Sequence, residues 1–95
     1  MNREIARVLI DQKLNELRRF SYRELLTLID RSSNSSLKGK DDVEYQLEVQ
    51  AFWDTKKDGN IRVMVTVDDG GGRAIAPLSG DFIITPEGSF IGETS

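Results

Sequence analysis

Residues 45–53, YQLEVQAFW, and 61–68, IRVMVTVD, alternate apolar and polar side chains almost without a break. Tyr45, Leu47, Val49, Ala51 and Trp53 share one parity in the first run, and Ile61, Val63, Val65 and Val67 share one in the second. Successive side chains of a strand point to opposite faces, so each set makes one apolar wall of a half-buried sheet. The intervening Thr55-Lys56-Lys57-Asp58-Gly59 carries turn residues, with Gly59 placed to take a positive φ. The pattern predicts a β-hairpin around which the rest of the chain is organised, with Trp53 as a lid at the end of the inward row.

Upstream the period changes. Residues 3–19 are rich in straight-chain helix formers, and neither Gly nor Pro occurs before Gly39. The apolar positions Ile5, Val8, Leu9, Ile10, Leu14 and Leu17 cover a wide arc at 100° per residue, which suggests a helix touched by two elements. Ser21-Tyr22-Arg23-Glu24 is a capping-box pattern, with Phe20 and Leu25 as the matching hydrophobic staple. A second helix is therefore expected from about Tyr22 to Asp30, meeting the first at a capped corner. Arg31 to Lys40, RSSNSSLKGK, reads as a polar connector without the glycine spacing of a phosphate loop.

Downstream, Asp68 to Gly72 reads as a loop, Arg73 to Ala76 as a short strand and Pro77 to Gly80 as a turn. Phe82-Ile83-Ile84 reads as a further strand, Thr85-Pro86-Glu87-Gly88 as a type I turn and Ser89-Phe90-Ile91 as a short edge strand. Helices first and strands second argue for an α+β fold: two N-terminal helices packed on one face of an antiparallel meander of three to five strands. One domain spans residues 1–95, with a helical part over 1–31, a connector over 32–42 and the sheet over 43–92.

Composition narrows the chemistry. The chain has 31% charged and 38% hydrophobic residues, which fits a folded domain and not a disordered one. It contains no cysteine and no histidine, so thiolate chemistry and the commonest general base and transition-metal ligand are missing. No apolar run has the length of a membrane span, and Glu4 and Asp11 interrupt the N-terminal stretch where an export signal needs apolar residues. A cytoplasmic location, with no membrane association, is the expectation. Residues 1–40 hold nine Lys/Arg against five Asp/Glu, and residues 41–95 hold four against eleven. The basic residues of the first half are interleaved with acids and the second half would repel phosphate, so no nucleic-acid partner is expected.

Candidate sites are few. Residues 54–61, DTKKDGNI, imitate half of an EF-hand loop, but Lys56 stands at the third ligand place and Val65 where a bidentate Glu is needed. No metal and no cofactor is expected. Asp68, Asp69 and Arg73 flank a run of three glycines that could hold an ion or a small anion. The outward parity of the hairpin carries Arg62 with Phe52 and Met64, two large apolar groups on a polar face, and Arg62 is expected to stack on Phe52.

The pattern FWD…RVMVTVDDGGGR followed by PLSGDFIITPEGSFIGE resembles small bacterial α+β domains that carry no assigned activity. That resemblance covers roughly residues 20–93 and implies a bacterial cytoplasmic domain, without supplying any catalytic or binding residue. The function expected is a small non-enzymatic interaction or regulatory domain, with a protein partner or a weak homodimer. The candidate binding residues are Phe52, Arg62, Met64, Asp68, Asp69 and Arg73. The alternative is a small-molecule or ion-binding domain using the Asp68–Arg73 loop.

Overall fold

A computed structural model describes residues 2–68 and 78–92. Helix α1 spans Arg3–Leu17 and starts where the Asn2 side chain accepts the Ile5 N–H. Helix α2 spans Tyr22–Leu26, and the strands are β1 Ser32–Lys38, β2 Glu44–Trp53, β3 Ile61–Asp68 and β4 Leu78–Ile84. The four strands form one antiparallel sheet in the order β1-β2-β3-β4, with both helices on one face. The α+β class and the antiparallel sheet agree with the reading of the sequence.

The hairpin register is the one the alternation demands. Leu47 lies opposite Val67, Val49 opposite Val65, Ala51 opposite Val63 and Trp53 opposite Ile61. All of these but the half-buried Trp53 are buried, and they form the core together with Tyr45, Phe82 and Ile84. Ala6, Ile10, Leu14 and Leu17 of α1 close the core from above at i, i+4, i+8, i+11 spacing. The helix lies against β3 and β4, and a Cβ at Gly80 would come within 2.8 Å of Ile10 Cγ2 and 3.0 Å of Leu14 Cδ1. Gly80 therefore sets how closely α1 approaches β4.

Two tyrosines tie the helical segment to the ends of β2 and β3. The buried Tyr45 donates its hydroxyl to Asp41 Oδ2 at 2.7 Å and accepts the Asn2 N–H at 3.3 Å, so the start of α1 is held at the β1–β2 turn. Tyr22 Oη donates to the Gly59 carbonyl at 2.6 Å, which fixes α2 to the β2–β3 turn. Burial, and then the charges of Asp58 and Glu87, push the Tyr22 phenol above its usual range.

Five expectations need correction. The connector over 32–42 is mostly strand: Ser32–Lys38 pairs along its whole length with β2, and a Gly39–Val43 turn joins the two. A Ser/Asn run has no apolar alternation to reveal it, yet β2 has a second edge whose backbone groups need partners. Helix α2 stops at Leu26 instead of Asp30. The N–H groups of Thr27, Leu28, Ile29 and Arg31 each bond three residues back, and Asp30 at φ 63° swings the chain into β1. In the β2–β3 turn the left-handed residue is Asp58, at φ 65°, and not Gly59. Residues 78–80, read as turn, belong to β4, and Phe90 returns as a single bridge to Ile84 instead of a strand. The strand expected at Arg73–Ala76 lies outside the described residues.

The capping box is complete. Ser21 Oγ accepts the Glu24 N–H at 3.1 Å while the Glu24 carboxylate accepts the Ser21 N–H at 3.0 Å. That carboxylate is held below its usual range, first by the Ser21 backbone N–H and then by the Ser21 hydroxyl. Ser21→Ala should lower stability by about 1 kcal/mol in denaturant unfolding. A carboxylate depressed in the folded state adds stability above its unfolded pKa and loses it as pH falls through the folded one. Glu24→Gln should therefore flatten that part of the acid limb while leaving the neutral-to-alkaline profile unchanged in shape. Gly80→Ala should cost about 1–3 kcal/mol by overpacking against Ile10 and Leu14, read as a lower denaturant midpoint with an unchanged slope.

Candidate functional site

The face of the sheet away from the helices is built in rows by the register. Ser36, Gln46 and Asp68 make one row; Asn34, Glu48, Thr66 and Ser79 make the next. These rows are polar. Toward the other end, Gln50 lies beside Met64 and Met64 beside Asp81, while Phe52 lies beside Arg62 and Arg62 beside Ile83. The Ile91 N–H bonds the Ile83 carbonyl, which continues the last row by one apolar residue. Phe52, Met64, Ile83 and Ile91 thus surround Arg62 at one corner of the sheet. Phe52 is 38% and Ile91 45% exposed, and Met64 and Ile83 are half-buried.

Arg62 is engaged by two carboxylates. Its Nε and Nη2 both donate to Asp54 Oδ1, at 3.1 and 2.8 Å, and its Nη1 donates to Asp81 Oδ2. These bonds, Asp81 first and Asp54 second, raise the guanidinium pKa above its ordinary value. The expected stacking of Arg62 on Phe52 gives way to these carboxylates, because three charge-assisted hydrogen bonds outweigh a contact with an exposed ring. A cation–ring contact occurs instead on the helix side, where the half-buried Arg18 guanidinium lies 5.1 Å from the centre of the core residue Phe82. Arg62 therefore straps the end of β2 to β3 and β4, in a cluster where one cation meets two carboxylates.

Among the other candidates, Asp68 ends β3 as an exposed residue opposite Gln46. Asp69 and Arg73 lie outside the described residues, as does most of the loop proposed to bind an ion. No group of three or more acidic side chains able to hold a metal occurs among the described residues. Asp54, the first place of the EF-hand-like stretch, faces Arg62. The residues that sequence reasoning missed are Asp54, Asp81, Ile83 and Ile91. Ile83 was legible as the outward residue between Phe82 and Ile84, whereas the partnership of Arg62 with Asp81 depends on the β3–β4 register.

Among the described residues, clefts lie on the helical side. One of about 540 Å³ sits between the helix corner and the turn after β4, lined by Phe20, Tyr22, Arg23, Leu26, Pro86 and Phe90 among others. The second, of about 400 Å³, runs between α1 and the β1–β2 turn and is lined by Ile5, Val8, Leu9, Lys38, Gly39 and Lys40 among others. The apolar arc of α1 is wider than its sheet contact, and Val8, 50% exposed, is the part left over.

No helix among the described residues is long and apolar enough to cross a membrane. No protein-family model, no curated protein and no solved structure matches this chain. Arg62→Lys should lower the thermal midpoint, since a point charge cannot serve both aspartates in the same fork geometry. The difference between Arg62→Lys and wild type should narrow in molar salt, because the cluster is partly open to solvent.

Proposed function

We propose that this chain is a non-enzymatic interaction domain that presents the outer corner of its sheet, Phe52, Met64 and Ile83 around the carboxylate-paired Arg62, to a different protein. The observation that carries the reading is that no described element lies on this face, although large apolar side chains are grouped there. On a β-sheet with one covered face, the outward residues of an ordinary monomer are polar, as the Asn34 and Ser36 rows are here. Aromatic and Met side chains around an arginine are the composition enriched at protein interfaces. The pKa shifts of Tyr22, Glu24 and Arg62 each have a structural cause: burial of the phenol, the capping box at Ser21, and the ion pairs of the guanidinium with Asp54 and Asp81.

The test changes Phe52→Ser and Met64→Gln together. Gln is preferred to Lys at position 64 because a new cation would compete with Arg62 for Asp81. Unfolding stability should change little, and capture of a stoichiometric partner from lysate of the source cells should be lost. A large drop in stability with no change in capture would show that these side chains serve the fold and would remove the corner as a binding site.

A further inference from the structure

Among the described residues, strand β1 pairs with β2 on one side only, and all seven of its residues, Ser32 to Lys38, are exposed. Edge strands are normally kept from pairing by prolines, bulges, inward-pointing charges or short length. Ser32 to Leu37 contains no proline and no charge, its pairing with β2 has no bulge, and seven residues is longer than the usual strand. On the helix side, Ser33, Ser35 and Leu37 lie opposite Val49, Leu47 and Tyr45, and Leu37 remains 45% exposed.

We propose that β1 pairs antiparallel with β1 of a second copy of this chain, about a two-fold axis at Ser35, to make one continuous eight-stranded sheet. Residues directly opposite in an antiparallel pair share a face, so a two-fold axis must place a residue against itself if the helices of both copies are to stay on one side. An axis at Ser35 alone pairs all seven residues. It sets Ser32 against Lys38 of the second copy, Ser33 against Leu37, and Asn34 against Ser36. No like charges meet, and the small Ser and Asn side chains leave the backbones free to approach. The exposed Leu37 of each copy gains a neighbour at Ser33 of the other.

A second copy fits this edge better than a foreign extended peptide. Peptides that add to sheet edges draw specificity from pockets for alternate side chains, and Ser32, Ser33, Asn34, Ser35 and Ser36 offer none. The self-pair instead repeats every interaction about the axis. Seven residues of strand bury less than a standard protein interface of roughly 1,600 Å², so association should be concentration-dependent and not obligate.

Sedimentation velocity across a dilution series tests this. Wild type should pass from monomer to dimer as concentration rises. Ser35→Lys and Ser35→Glu each place two like charges at the axis and should remain monomeric, with circular dichroism and, at concentrations where wild type is monomeric, thermal midpoint unchanged because Ser35 is exposed. An equimolar mixture of the two variants should regain the dimer through the opposite charges. The chain has no cysteine, so Ser35→Cys supplies a sole thiol that a short bismaleimide should join into a dimer, whereas Asn15→Cys on α1 should not be joined. A wild type that stays monomeric throughout, variants that dimerise as wild type does, a mixture that fails to recover, or equal cross-linking at both thiol positions would each overturn the proposal. Phe52→Ser with Met64→Gln should leave the dimer intact, so the failure of one reading is distinguishable from the failure of the other.

Discussion

The single parity shared by the two central strands is the constraint on which the remainder of the molecule depends. With Leu47 on Val67, Val49 on Val65 and Ala51 on Val63, these side chains all point to the helix-covered face. A slip of one residue would send one strand's apolar wall to the opposite face, so the register is fixed by the burial it permits. Once the wall exists, helix α1 has one place to deposit Ala6, Ile10, Leu14 and Leu17, and Gly80 allows the helix to reach β4 closely. Tyr45 and Tyr22 then hold the helical segment at two different turns, so its placement does not rest on non-directional packing alone.

The same parity creates the outer face by default. Residues excluded from the wall face outward, and there Arg62 meets Asp54 and Asp81. A partner covering this corner would have to remove water from the cluster, but the guanidinium already has carboxylate acceptors, so less hydration is lost than at a bare arginine. Burying an apolar side chain completely is worth about 1.5–3 kcal/mol. Phe52 and Met64 are already more than half covered, so only part of that is available before the costs of association. The balance favours a transient complex over a permanent one.

The hairpin, the capped corner between the helices and the inward set were legible because each is written in local spacing: period two for strands, and Ser followed by Glu three residues later for the cap. Strand β1 was not legible because its pairing is with backbone, which any residue supplies, and its side chains face water on both sides. The sign that a strand was needed lay elsewhere, in the second edge of β2. The end of α2 was hidden for a similar reason: Leu28 and Ile29 continue an apolar helical spacing but pack against the core from a run of tight turns. At the candidate site, Phe52 and Met64 were readable from parity alone. The role of Arg62 was not, since Asp81 is nineteen residues away and meets it only through the β3–β4 register.

Edge pairing would change what the outer corner can do. Met64 shares a row with Gln50 and Ser32, so the apolar corner lies at the end of the sheet where β1 begins. An axis at Ser35 sends the second corner to the opposite end of the extended sheet, on the same face. Five strand spacings of about 4.8 Å and about six residues of rise at about 3.3 Å put the two Met64 residues, at the near edges of the corners, roughly 30 Å apart. A weak site duplicated at a fixed separation binds a partner that offers two matching surfaces far more tightly than either site alone, and gains nothing for a partner with one. A dimer assembled through the edge would therefore turn a marginal apolar corner into a selective one, choosing repeated or dimeric partners by geometry instead of by contact area.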